Sequence, residues 1–432
     1  MKILNINSSL KLLFYLYITF LPLQDIKLFP FNIGKGIFIA DIIFIPLFSL
    51  WIIKLLFHRN NNPFVEKNII YSILIFISVF SLATLFSKNS LRSFVDLVGL
   101  IYLVLLFLLS VDILKDEKTI YNSMKLWVIV ALSVIFIGLF AFLISILTNN
   151  YNSNNLLMYD PIKKSIIPFP RMNSTFQTQE MLISYMIITL GFLFILFDKN
   201  PFWLTGIPVV IFGVIIAFSR GLIGFLITWI ICIYAKIGNT IKKFILMPSI
   251  VLFLFLSISI YVSSKWILFP FEWKVDKQTE QIKISFGISP GQREIFNKTA
   301  INMWKDNFLL GVGPGEFTYQ FKNYVDFDRY KNSWSALENI AEVDPHSTYY
   351  GALAETGILG FLSLMLLFSI ILYQSLRYIN NRTIVFLSAS FIGLLLNGFI
   401  CDIIMFRHLW LLFGFLYAYH QLNTPLQQSD KI

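Results

Sequence analysis

The residues in this sequence that could do chemistry together are a few arginines, one histidine and a glycine-rich turn between them. Arg220 follows one apolar run and precedes another. Charge at bilayer depth is expensive, so an arginine there either faces an aqueous cavity and a partner or snorkels to the interface. Arg293 stands near the start of a polar stretch, GQREIFNKTAINMWKDNFLLGVGPGEF, that begins at Gly291. His346 ends the polar region in DPHSTYYGALAETGILGF, just ahead of the next apolar run. A guanidinium binds phosphate oxygens through a planar fork and keeps its charge. An imidazole, with an unperturbed pKa of about 6.5, accepts a proton near neutrality. A charged loop that delivers one histidine to the rim of an apolar bundle points to chemistry at a membrane surface.

The elements that must hold these groups are apolar helices. Of 432 residues, 57% are hydrophobic and 13% charged, against about a quarter charged in a soluble domain. Mean hydropathy is +0.72. Runs long enough to span a bilayer fall near 36–57, 69–86, 92–111, 124–147, 180–197, 202–219, 244–264, 348–376 and 383–401, with weaker ones at 10–23, 221–236 and 406–420. The expected fold is therefore an all-α polytopic membrane protein of about 12 transmembrane helices, with one large loop between helices 9 and 10. It divides into an N-terminal bundle (1–264), the loop (265–347) and a C-terminal set of three helices (348–432). The N-terminus shows no cleavage site and reads as a retained helix.

The net charge of +10 is unevenly placed. Residues 265–344 hold 10 basic and 11 acidic side chains, so the excess sits in the short connections. That is a topology signal rather than a nucleic-acid patch. With both termini cytoplasmic, the inner segments hold 15 lysines and arginines and the short outer ones 9, which favours that orientation. The large loop then faces the periplasm. Four scattered histidines without metal-ligand spacing, and two cysteines (Cys232 and Cys401) in apolar runs, argue against a metal enzyme and against a disulfide.

Within the loop, Gly291–Asn307 reads as an amphipathic helix, with Ile295, Ala300 or Thr299, Met303 and Trp304 on its apolar stripe. The GVGPG turn then breaks it; no Lys-Ser or Lys-Thr follows, so it is not a phosphate P-loop. Ser347 or Thr348 can cap the following helix, and Tyr350 lies one turn from His346. Glu355, nine residues on, falls about half a revolution away if both are helical, so its expected role is structural rather than orienting His346. Gly311, Gly313 and Gly315 also read as structural.

This order of features resembles the O-antigen ligase and O-antigen polymerase superfamily of bacterial glycan-assembly proteins. The matching features are FSRG (Phe218 to Gly221), an arginine opening an aromatic-rich helix (Arg293 to Trp304), the G-x-G-x-G-x-F turn (Gly311, Gly313, Gly315, Phe317), and H-x-x-Y-x-x-x-x-x-E-x-G-x-x-G (His346, Tyr349, Glu355, Gly357, Gly360). The resemblance implies a membrane glycosyltransferase of GT-C-like architecture in the bacterial inner membrane. Its donor would be a glycan on undecaprenyl diphosphate, its acceptor a hydroxyl of the lipid A core, with no cofactor and no nucleic-acid partner. It also implies that Arg220 and Arg293, with Arg171 as a third contact, hold the diphosphate, and that His346 is the general base. Gly313, Gly315, Tyr350 and Glu355 would shape the site. A polymerase joining lipid-linked repeats stays open, as does a protein-glycosylating relative, and a lipid-linked glycan flippase is the rival of another class. Orientation is testable at once. Cysteines introduced singly at Asn154 and Asn332 should react with an impermeant thiol reagent in intact spheroplasts, and one at Asn239 should not.

Overall fold

The computed structural model describes residues 2–24, 27–30, 36–57, 65–148, 156–159, 170–217, 219–236, 266–275, 282–290, 292–327, 343–377 and 381–422. The ninth apolar run (244–264), Phe218 and the three asparagines just named lie outside them. The described chain is mostly helical: α1 (Lys2–Phe20), α2 (Ile39–Phe57), α3 (Lys67–Leu85), α4 (Ser90–Ile113), α5 (Glu117–Leu147), α6 (Gln179–Lys199), α7 (Gly206–Ala217), α8 (Leu222–Lys236), α9 (Gln292–Asp306), α10 (Phe317–Tyr324), α11 (Thr348–Leu376), α12 (Arg382–Asn397) and α13 (Arg407–Leu422). Six of them, α2 to α6 and α11, are long and apolar enough to cross a membrane, and α8 and α12 are shorter apolar helices. The chain is a multi-pass membrane protein.

Helix starts follow their capping residues. Asn89, Asp116, Thr178 and Asn381 each accept a bond from a backbone N–H in the first turn of α4, α5, α6 and α12. At α11 the expected cap does not form. The Ser347 hydroxyl donates instead to the Gly398 carbonyl at 3.2 Å, and that of Thr348 to the Cys401 carbonyl at 3.0 Å. Both hydroxyls thereby tie the start of α11 to the turn between α12 and α13. Three two-stranded antiparallel ribbons, absent from the helical reading, also occur: β1 (Lys27–Pro30) with β2 (Gly36–Phe38), β3 (Leu157–Tyr159) with β4 (Pro170–Met172), and β5 (Trp266–Val275) with β6 (Ile282–Pro290). All three lie in connections between the apolar helices, where strand pairing satisfies backbone groups that no helix takes up.

Lipid is as apolar as a leucine side chain, so helices associate there through close packing and polar contacts rather than through water exclusion. The α8–α12 pair is built that way. A Cβ on Gly224 would overlap the Gly393 carbonyl, and Thr228 Oγ1 bonds the Ala389 carbonyl at 3.1 Å. Against α6, Ser390 of α12 donates to the Ile187 carbonyl at 3.1 Å. Trp127 of α5 stacks on Tyr185 of α6, with centroids 4.5 Å apart, and gives its indole N–H to Thr189.

α11 is broken. Gly357 has φ +65° and ψ −165°, so the helix stops and restarts there. The break frees backbone groups on both sides, and residues 308–313 take them up. Ile358 and Leu359 donate to the carbonyls of Phe308 and Leu309 at 2.9 and 3.3 Å. Val312 and Gly313 donate to the carbonyls of Ala354 and Glu355 at 2.9 and 3.0 Å. Irregular backbone inside an apolar helix is tolerated when other protein groups satisfy it, as here. A Cβ at Gly357 would overlap the Leu309 backbone, and φ +65° with ψ −165° lies in a region that essentially only glycine occupies, at a cost of about 1–3 kcal/mol for any other residue. Gly357→Ala should therefore lower the melting temperature of the purified protein in detergent by several degrees. Gly99→Ala, which meets nothing within 4 Å, should leave it unchanged. Equal melting of the two variants would contradict the stitched break.

Candidate functional site

The second residue of α9 and the turn before α11 supply the two groups singled out in the large loop. α9 packs along α11, and its buried Ile295, Phe296, Ala300 and Met303 form a second apolar cluster with Phe317 and Phe321 of α10. That packing leaves Arg293, at the start of α9, against the bundle. Its Nη1 donates to the Ile400 carbonyl at 2.5 Å and its Nη2 to Glu180 Oε1 at 3.2 Å. The two side chains are only 17% and 22% exposed. Burial draws the Arg293 guanidinium below its ordinary pKa, against the upward pull of Glu180, but leaves it charged.

His346 takes φ +48°, a region that residues other than glycine visit rarely and that clusters at functional sites. Its N–H donates to Asp344 Oδ1 at 3.0 Å, so Asp344-Pro345-His346 closes as an Asx turn. The imidazole lies 5.5 Å from the ring of Phe296, tilted 34°, while the residue stays open to solvent. Partial desolvation holds its pKa below the usual 6.5. Asp344 acts upward, Arg293 downward, Glu180 upward and Arg220 downward.

Arg220 is in the short turn between α7 and α8. Gly221 lets that turn enter: a Cβ there would come within 2.9 Å of Asn397 Oδ1 and 3.2 Å of Ile183. The turn thus sits between α6 and α12. Asn397 in turn donates to Ser184 Oγ at 2.5 Å and to the Glu180 carbonyl at 3.4 Å.

Three of the sequence candidates, Arg220, Arg293 and His346, therefore come together. Arg171 lies on β4, whose hairpin with β3 packs on α5 and α7, and it is not among the charges that act most strongly on His346. Gly313 and Gly315 both have positive φ, +112° and +71°, and belong to the turn that stitches α11. A Cβ on Gly315 would overlap the Asp96 carboxylate of α4, and Ser93 donates to the Pro314 carbonyl at 2.8 Å. The Glu355 carboxylate accepts from the N–H of Phe317 at 3.2 Å, so it serves the same turn. Tyr350 packs half-buried against the α9–α10 cluster.

The sequence reading missed Glu180. Its signal was an acidic residue at the edge of an apolar run, where ionisable groups are rare. It also missed the turn from 398 to 402, whose contribution is a backbone carbonyl and so has no residue-type signature.

Residues 205–365 match the family model described as O-antigen ligase. That match takes in α7, α8, Arg220, Arg293, the glycine turn, His346 and the first part of α11. No curated protein matches the chain.

Proposed function

We propose that this chain, which carries an O-antigen ligase domain and belongs with the O-antigen ligase and polymerase superfamily, moves a glycan from undecaprenyl diphosphate to a hydroxyl of the lipid A core. It is a glycosyltransferase-like membrane enzyme of O-antigen assembly. The supporting observation is that Arg293, on α9 beside Glu180 and the Ile400 carbonyl, and Arg220, in the α7–α8 turn, both act on His346 although the three come from separate stretches.

In this reading the neutral imidazole of His346 takes the proton of the acceptor hydroxyl. The oxygen attacks the anomeric carbon from the face opposite the diphosphate. The new C–O bond forms as the bond to the diphosphate oxygen breaks, and configuration inverts. The electron pair leaves on undecaprenyl diphosphate, where two guanidiniums stabilise the developing charge. Neither a metal nor a nucleotide is required, because the energy comes from the polyprenyl diphosphate bond. The site faces the periplasm, the termini the cytoplasm, and the membrane is the bacterial inner membrane. A transporter would instead string ionisable groups along a central path; here the candidate residues Arg220 and Arg293 gather around His346.

Four outcomes test this. Arg220→Lys and Arg293→Lys keep charge but lose the planar fork, and each should lose most transfer with normal abundance in the membrane. Near-normal transfer by both would reduce the diphosphate role to general electrostatics. His346→Gln should still bind the lipid-linked donor but turn over about 10²–10⁴-fold more slowly in nanodiscs with purified substrates. Wild-type turnover should fall as pH drops through the His346 pKa, below 6.5, since only neutral imidazole accepts the proton. Turnover of His346→Gln within a few-fold of wild type at neutral pH rules out the general base. Gels of a deletion strain separate ligase, which leaves long chains on the carrier, from polymerase, which leaves single repeats.

A further inference from the structure

Glu180 has no part in the reaction as drawn, yet it lies where the reacting groups meet. It is in the first turn of α6, whose N-terminus is capped by Thr178 accepting from the Met181 N–H at 3.2 Å. Its Oε1 accepts from Arg293 Nη2, and its own carbonyl accepts from Asn397. The second bond on Arg293 goes to the Ile400 carbonyl. Two bonds from two different nitrogens, to two different elements, fix the plane of the guanidinium. Among the described residues they take two of its five N–H donors.

The charges around His346 come from four elements. Asp344 is in its own turn, Arg293 on α9, Glu180 on α6 and Arg220 in the α7–α8 turn. Asp402, which accepts from Thr348 Oγ1 at 3.3 Å, borders the same region. Two arginines suit a diphosphate but oppose the imidazolium that a general base must become. Of the carboxylates that offset them, Asp344 is exposed and committed to the His346 N–H. Glu180 is half-buried, where solvent screens its charge less.

We infer that Glu180 is a positioning residue for both groups: its carboxylate orients the Arg293 fork, and it is the counter-charge that lets His346 accept a proton beside two arginines. This rests on the reading of His346 as base, but one of its tests does not. Glu180→Gln keeps an oxygen for Arg293 and removes the charge. Glu180→Asp keeps the charge and shortens the reach. Glu180→Ala removes both.

The first readout is the His346 titration midpoint in histidine-labelled full-length protein, by nuclear magnetic resonance in nanodiscs, assigned with His346→Gln. Glu180→Gln should lower that midpoint by about one pH unit, and Glu180→Asp should leave it near wild type. The second is kinetic. Glu180→Gln should move the acid limb of the transfer profile to lower pH by the same amount. Glu180→Asp and Glu180→Ala should raise KM for the lipid-linked donor several-fold through the loosened Arg293. A purely structural glutamate would lower melting temperature without moving the midpoint. An unmoved midpoint in folded Glu180→Gln, or an unchanged donor KM in Glu180→Ala, overturns the inference. If His346→Gln stays active while Glu180→Gln still shifts the midpoint, the general base fails and the electrostatic link stands.

Discussion

A backbone packed inside an apolar bundle cannot leave its polar groups unpaired, and the break in α11 makes that constraint local and severe. Residues 308–313 meet it by trading four hydrogen bonds with residues 354–359. The exchange does more than repair a helix. It fastens the end of α9 to α11, so the helix that carries Arg293 is held against the helix that starts beside His346. The positive φ of Gly311, Gly313, Gly315 and Gly357 is the geometric condition for that exchange. The glycine turn thus acts on the site at a distance, through the placement of α9.

The other anchor is the turn after α12. It accepts from Ser347, Thr348 and Arg293 through the carbonyls of Gly398, Cys401 and Ile400. α12 also closes on α8 through Gly224 and Gly393 and on α6 through Ser390 and Asn397. So α12 links the two sides of the site: α6 and the Arg220 turn on one, α9 and α11 on the other. Its short length is compatible with this task because its neighbours bury it on several sides.

Charge is treated differently at the far end of the bundle. There Asp112 accepts from Trp51 at 3.1 Å and from Lys54 at 2.7 Å and pairs with Lys115, while Lys11 pairs with Asp116 at 2.7 Å. These ionic groups satisfy one another, as anchors between helices do. At the site end, two arginines, Glu180, Asp344 and an imidazole of depressed pKa share one region. The contrast separates an end built to hold helices together from an end able to receive an anion.

Sequence by itself determined the membrane class, because 57% hydrophobic residues in runs of spanning length have no other stable home. It also determined the positions of the helices: each apolar run within the described residues coincides with one, and the amphipathic stripe of Ile295, Ala300 and Met303 lies buried on α9. His346, Arg220 and Arg293 stood out by type and position. Only the tertiary structure decided that they meet and that Arg171 stands on a separate hairpin, since spacing along a chain carries no information about which helices become neighbours. It also assigned Glu180 to Arg293, across 113 residues, and gave the Ile400 carbonyl a role that no side chain announces. The Ser347 and Thr348 hydroxyls illustrate the same limit. Local pattern read them as caps, and long-range packing offered them the carbonyls of a turn some fifty residues away, which they took instead.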